Sequence, residues 1–234
     1  MGRFDGRNVL VAGGAGALGA SVTLAFLAEG ASVTVTGRSR EPFERLLASA
    51  READRARLAF HAADAGDPGQ AAAAVKAAAR GGRLHAVVST VGGWAGGAPV
   101  TDDPPERLAA MLAANLAPTY ALLRAAAPAL AGGGAFVEIA SLAAVGAQPG
   151  QAAYGASKAA ALSLVLSAAE ELRGKGVRVN AVLPGTMDTE ANRRAMPGAD
   201  RSGWVSTQAV ASTVLFLCSD EASAVSGAAI PVRR

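Results

Sequence analysis

Short, continuous apolar runs rich in Val recur along the chain at 8–12, 31–36, 58–62, 84–90, 135–140, 177–183 and 228–232. They do not alternate polar with apolar, as a strand with one wet face would. Runs of this length, bounded mostly by Gly, Asp or Pro, fit strands buried on both faces of a parallel sheet. Between them lie segments of helical length and composition at 17–29, 42–54, 68–80, 104–130, 151–173 and 206–218. Strand and helix alternating in this way predict a doubly wound α/β architecture, a parallel sheet of about seven strands with helices on both faces. No Ser/Pro-rich linker or shift in composition divides the chain, so residues 1–234 are expected to form one domain. Pro118 and Pro128 should kink or cap the helix at 104–130. Segment 184–206 holds Gly185, Pro197, Gly198 and Gly203 with little periodicity, and an irregular stretch of that length is expected to be a lid.

Composition sharpens this picture. Hydrophobic residues make up 51% of the 234 residues but aromatics only 4%, and Ala alone is roughly a quarter, far above ordinary usage. Much of the apolar content is therefore methyl groups, which suit close packing of helix on sheet. No unbroken apolar run reaches the roughly 18–20 residues of a bilayer span, so no transmembrane helix is expected. The first seven residues include Asp5 and lead directly into strand-like sequence without a signal-peptide pattern, which makes the cytoplasm the expected compartment. The chain is long enough to bury a core without disulfides or metal. Its lone Cys218 reads as a small buried hydrophobe on a helix. A formal charge of +3, from 22 Lys+Arg against 19 Asp+Glu, comes with no basic cluster and few aromatics, which argues against nucleic acid as a partner. His61 and His85 have no spaced partners, so no metal site is expected. Asp102-Asp103 reads as a helix-entry pair and Glu170-Glu171 as a solvated helix face.

The first strand is followed by Ala12-Gly13-Gly14-Ala15-Gly16-Ala17-Leu18-Gly19 and then a helix. Glycines at such a turn let backbone N–H groups approach a pyrophosphate, and the helix N-terminus stabilises its charge. Position after the first strand makes this a dinucleotide-binding signal, with Gly13, Ala15, Leu18 and Gly19 as the contacts. After the second strand a ribose 2′-OH would call for an acid, and a 2′-phosphate for an Arg. The sequence there is Thr36-Gly37-Arg38-Ser39-Arg40, which favours NADP(H) over NAD(H). Arg38 is the expected phosphate ligand, assisted by Ser39 or Arg40; a solvated Arg pair is the bland alternative. At the third strand end, Asp64 in Ala63-Asp64-Ala65 could accept a hydrogen bond from an adenine amino group.

Tyr154 and Lys158, at i and i+4, share a helix face. A free Tyr titrates near ~10, and a neighbouring ammonium would bring it towards neutrality, as acid–base work requires. Thirteen residues earlier, Ser141 closes a predicted strand, and strand C-termini line the ligand crevice of an open α/β sheet.

The glycine turn, Asn115 in Ala114-Asn115-Leu116, Ser141, Tyr154-Gly155-Ala156-Ser157-Lys158, Arg178-Val179-Asn180-Ala181, Pro184-Gly185 and the closing Leu217-Cys218-Ser219-Asp220 together resemble the short-chain dehydrogenase/reductase family, over essentially the whole chain. The resemblance implies a Rossmann fold and a hydride-transfer enzyme. In it Tyr154 protonates the developing alkoxide and Ser141 polarises the substrate carbonyl. Lys158 holds the nicotinamide ribose and lowers the Tyr pKa, while Asn115 positions a water. Pro184, Gly185, Met187 and Thr189 flank the nicotinamide. Two positions depart from the family pattern. Ala17 stands where Gly is usual, so the backbone there must tolerate a methyl group. Ser89-Thr90-Val91-Gly92 replaces Asn-Asn-Ala-Gly, leaving Val91 and Gly92 to offer backbone.

Gly92-Gly93-Trp94-Ala95-Gly96-Gly97 and the lid segment with Met196 and Trp204 are similar to dihydropteridine reductases. Trp94 could stack on a flat heteroaromatic ring, or simply plug the base of the lid. Those enzymes lack the catalytic Ser and carry an acid after strand two, whereas this chain has Ser141 and Arg38. A carbonyl-reducing enzyme with Trp94, Met196 and Trp204 lining its pocket therefore ranks ahead of a pterin reductase. A non-catalytic NADP(H) sensor is the reading of another class, since fold alone does not exclude it; it would have no use for Tyr154 as a proton donor. The family pairs its long helices between subunits, which leads us to expect a homodimer or homotetramer.

Overall fold

Each of the seven apolar runs forms a strand, with ends within one residue of the pattern: β1 (Asn8–Ala12), β2 (Ser32–Gly37), β3 (Leu58–Ala62), β4 (Leu84–Ser89), β5 (Ala135–Ile139), β6 (Arg178–Pro184) and β7 (Ala229–Val232). The computed structural model describes residues 2–234. Among these, the strands form one sheet in the order β3-β2-β1-β4-β5-β6-β7, and every pairing is parallel. The order reverses between β1 and β4. Connections leave in opposite directions there, opening a crevice at the C-terminal strand ends.

Successive residues of a strand point to opposite faces, and both faces are covered. Val9, Val11, Val33, Val35 and Val137 pack with α1 (Ala17–Ala28), α2 (Glu41–Ser49) and α9 (Thr207–Cys218). Leu10, Val87, Phe136 and Val179 pack on the other face with α4 (Pro68–Ala79), α6 (Ala117–Leu130) and α7 (Ala152–Leu172). Two buried faces explain the continuous rather than alternating apolar runs. Cys218 is buried on α9, and burial pushes its thiol up to about 12, so it packs as a small apolar group.

Three segments differ from the sequence pattern. The stretch 42–54 is two helices, α2 and α3 (Glu52–Arg55), because Ala50 is extended between them. The stretch 104–130 also splits, into α5 (Arg107–Asn115) and α6, at Leu116. Pro118 has no N–H to continue the helical ladder, whereas Pro128 is accommodated within α6. Segment 184–206, expected to be a lid, is more ordered than its composition suggests. It contains α8 (Glu190–Ala195), whose first turn is capped by the Thr189 hydroxyl accepting from the Asn192 N–H at 3.2 Å. A parallel bridge between Met187 and Val205 ties its two ends together, and Arg193 clamps Asp188 through two bonds of 2.5 and 2.7 Å.

The helical stretches Arg107–Leu130 and Ala152–Lys175 are, contrary to expectation, long and apolar enough to cross a membrane by length and composition alone. Both lie against the sheet with buried faces that include Leu122, Ala126, Leu162 and Val165. The second also buries the charged Lys158, which suits a core helix better than a bilayer.

Candidate active site

The crevice at the strand reversal is a cleft of about 700 Å³. Its lining runs from Gly13, Ala15 and Gly16 after β1, through Arg38 and Ser39 after β2 and Asp64 and Ala65 after β3, to Val91 and Gly92 after β4. Leu18 and Gly19 lie just behind, buried at the start of α1. The glycines are sterically required: Gly13 has a positive φ of 74°, and a methyl on Gly19 would be driven into the Gly13 carbonyl oxygen. Ala17, by contrast, is exposed at the first position of α1, where its methyl meets open solvent. No side chain caps that helix at Gly16, so its first-turn N–H groups are open to an anion.

The two arginines after β2 have different surroundings. Arg40 pairs with Glu44 at 2.6 Å and lies over the Phe43 ring at 5.7 Å. Arg38 is exposed on the cleft rim and makes no ion pair among the described residues. Asp64 is occupied locally, accepting from the Gly66 N–H at 2.9 Å.

Beyond Gly92 the cleft meets the end of β5 and the start of α7. Ser141 lies two residues past the end of β5 in an extended conformation, and its hydroxyl accepts from the Ala143 N–H at 3.2 Å. Burial pushes the Tyr154 phenol above its ordinary value, and the adjacent Ser141 hydroxyl acts in the opposite direction. Lys158 makes no such contribution to Tyr154, contrary to the lowering expected from their helical spacing. Its ammonium is turned towards the strand, where it donates to the Ile139 carbonyl at 2.8 Å and lies 3.9 Å from a Glu138 carboxylate oxygen. Burial lowers the Lys158 pKa, and Glu138 raises it.

Asn115 is fully buried where α5 ends. Its Oδ1 accepts from the Gly93 N–H, and its Nδ2 donates to the Gly93 carbonyl and to the Ser157 hydroxyl, each at 3.0 Å. The Thr119 hydroxyl donates to the Asn115 carbonyl, also at 3.0 Å. A methyl placed on Gly92 would come within 2.7 Å of Asn115 Oδ1 and 3.1 Å of Lys158 Nζ. That glycine therefore keeps a narrow gap open between the cleft and the two side chains.

On the far side, buried Pro184 and partly buried Gly185, Met187 and Thr189 lead from β6 into the lid. Trp94 is 58% exposed and Met196 39%, whereas Trp204 is only 8% exposed, with the Arg201 guanidinium 5.7 Å from its ring centre. Trp204 thus has its ring covered. A second cleft, of about 660 Å³, lies at the opposite sheet end around Gly133, Arg178 and Asp220, away from the carboxyl-end crevice where open α/β sheets bind ligands. Among the described residues no group of His, Cys, Asp or Glu could hold a metal ion.

Residues 13–233 match the family model described as enoyl-(acyl carrier protein) reductase. Over 238 residues the chain is 32% identical to the D-threitol dehydrogenase of Mycolicibacterium smegmatis, covering 97% of this chain and 91% of that protein. The chain belongs to the short-chain dehydrogenase/reductase family. As a member it is an oxidoreductase of a family that binds a nicotinamide cofactor. It is also 30% identical over 207 residues to the dihydropteridine reductase of Dictyostelium discoideum, spanning 88% of this chain and 84% of that one. A solved short-chain dehydrogenase/reductase from Mycobacterium ulcerans superposes with a TM-score of 0.92 at 32% identity, covering 98% of this chain and 89% of that structure. The short-chain dehydrogenase/reductase fold is thus the doubly wound α/β fold expected from the apolar runs.

Three buried polar residues of this site escaped the sequence reading: Ser157, Thr119 and Glu138. Glu138 had a visible signal, a single acid inside an otherwise apolar strand, in a class of residue almost never fully buried without a partner.

Proposed function

We propose that this chain is an NADP(H)-dependent oxidoreductase that moves a hydride between nicotinamide and a small carbonyl or alcohol, with Tyr154 as the general acid/base. The observation that carries this reading is the meeting of Ser141, Tyr154 and Lys158 at the β5 end of a glycine-lined cleft. The cleft fits a dinucleotide: Gly13 and Gly19 admit no side chain, the first turn of α1 is uncapped, and Arg38 stands free on the rim.

In this reading the backbone from Gly13 to Gly19 takes the pyrophosphate and Arg38, with Ser39, takes a 2′-phosphate. Asp64, Ala65, Val91 and Gly92 border the adenosine side. Pro184, Gly185, Met187 and Thr189 border the nicotinamide, and Lys158 holds its ribose. The nicotinamide supplies or accepts the hydride when bound. Tyr154 carries the matching proton between its phenol oxygen and the substrate oxygen. Burial keeps the phenol protonated in neutral solution, the form needed to reduce a carbonyl. Ser141 donates its hydroxyl hydrogen to the same substrate oxygen and polarises the C–O bond. Asn115 braces the site by fixing Gly93 against the Ser157 turn of α7.

A second reading, reduction of a pterin-like ring, is favoured by Trp94, whose exposed indole stands two residues from Gly92. The relative in Dictyostelium discoideum named dihydropteridine reductase adds to it. The test is NADPH consumption across diketones, quinones, acyl thioesters and quinonoid dihydropterin, repeated with NADH and with Tyr154→Phe. Carbonyl reduction that requires Tyr154 supports the first reading. Turnover confined to the pterin supports the second, and binding of NADPH without any turnover would favour a sensor. Exposed Leu108, Tyr120 and Leu166 on α5, α6 and α7 support a homodimer or homotetramer, checked by sedimentation at micromolar concentration.

A further inference from the structure

Strand β5 places a carboxylate where the apolar pattern calls for a methyl group. Glu138 is fully buried, and neither of its oxygens has a hydrogen-bond partner among the described residues. Its side chain leaves the sheet on the face covered by α6 and α7. Across the sheet it stands in register with Ser89 of β4, whose hydroxyl is likewise buried without a partner. The Thr119 hydroxyl of α6 is close enough to favour the ionised carboxylate, as is that of Ser89. From α7 comes Lys158, the one cation within ion-pair reach of Glu138 among the described residues. A buried acid in this position is costly unless an opposite charge offsets the loss of water, and Lys158 is placed to do so.

We propose that Glu138 is a positioning residue for the reaction: its carboxylate holds Lys158 in place and in its ammonium form against the strand end that carries Ser141. The proposal rests on the oxidoreductase reading for its consequence, but its physical content concerns two side chains of this protein alone. Three features of β5 and the turn that follows it converge on the lysine and its neighbour. Glu138 sets the charge, the Ile139 carbonyl accepts from Nζ at 2.8 Å, and Ser141 lies two residues beyond. Without the carboxylate, a lysine so deeply buried would lose its proton at a lower pH, because burial disfavours the charged form.

The chain has only three lysines, Lys76, Lys158 and Lys175, so lysine labelled with carbon-13 at Cε gives three side-chain signals, with Lys158 assigned through Lys158→Arg. The cofactor-free protein is titrated as wild type and as Glu138→Gln. We expect the Lys158 midpoint in wild type to lie below those of Lys76 and Lys175, and to fall by at least one further pH unit in Glu138→Gln. Glu138→Asp should fall between the two. A Lys158 midpoint unchanged or raised in Glu138→Gln overturns the proposal. If Glu138→Gln does not fold, Glu138→Asp decides on the same signal: a lowered midpoint supports the proposal and an unchanged one overturns it. The titration needs no substrate, so its outcome stands apart from whether the oxidoreductase reading survives.

Discussion

The Asn115 amide donates to the Ser157 hydroxyl at 3.0 Å, joining the end of α5 to the turn of α7 that carries Tyr154 and Lys158. Asn115 also makes both of its bonds to Gly93, so one buried side chain holds three segments. Asn115→Ala should leave the part-buried Gly93 N–H and carbonyl without their partner, at a cost of about 1–3 kcal/mol. In a chain of this size that lowers Tm by several degrees. Urea unfolding of Asn115→Ala beside Ser157→Ala checks it, the second variant losing less; equal stability of Asn115→Ala and wild type would contradict the bracing role.

Tyr154→Phe removes one hydroxyl from a half-buried position and leaves the ring. Proton transfer by a positioned group contributes roughly 10²–10⁴-fold, so kcat should fall by that factor while Tm and NADPH affinity stay near wild type. Steady-state kinetics with fluorescence titration of NADPH separates the two quantities.

Arg38 should govern the choice between phosphorylated and unphosphorylated cofactor. A charge-assisted contact is worth roughly 1.5–3 kcal/mol, so Arg38→Ala should reduce the NADPH/NADH ratio of kcat/KM by about 10–100-fold. Arg40→Ala, which removes the pair with Glu44 and the contact with the Phe43 ring, should alter that ratio far less. A wild-type preference for NADH would refute the assignment of Arg38.

Glycine positions in the first turn divide sharply. Gly19→Ala forces a methyl into the Gly13 carbonyl, and overpacking of this kind costs about 1–3 kcal/mol. Weaker cofactor binding should accompany the loss, since the turn must move. Ala17→Gly, at an exposed site, should leave cofactor binding unchanged. Thermal unfolding with and without NADPH measures both.

Stability should depend on pH through Glu138. Burial raises its carboxyl from the ordinary 4.5 to about 7, so between these values the folded protein binds more protons than the unfolded chain. Stability from this group is complete below pH ~4.5 and is lost as pH rises through about 7. The stability difference between Glu138→Gln and wild type should therefore shift in favour of the variant as pH rises across that window. Tm measured at half-unit pH steps tests the sign; a gap that stays constant with pH would contradict it.

The inner strands could be read from sequence because burial on both faces writes one simple rule, mostly unbroken apolar residues, into them. Valines at 9, 11, 33 and 35 obey it. Helix breaks were harder. Whether Pro118 or Pro128 interrupts depends on what packs around each, and only Pro118 marks a break. The capped turn of α8 was hidden because six residues carry too little periodicity to register. Tyr154 and Lys158 were legible as a pair, but not the direction of the lysine, which is set by a carbonyl and a carboxylate from a strand nearly twenty residues earlier. Trp204 was placed in the lid by position alone; that its ring is covered follows from the path of the chain around it.

The placement of Glu138 and Ile139 on β5, just ahead of Ser141, ties chemistry to folding. Side chains along a strand alternate with a period of two, so a slip of one residue would turn Glu138 into the aliphatic layer and present Val137 to Lys158. Pairing with β4 on one edge and β6 on the other forbids that slip. A misregistered molecule would lose its proton-handling group and its core together. Selection for one property therefore guards the other, and mutations that loosen this strand should never yield a well-packed but merely inactive protein.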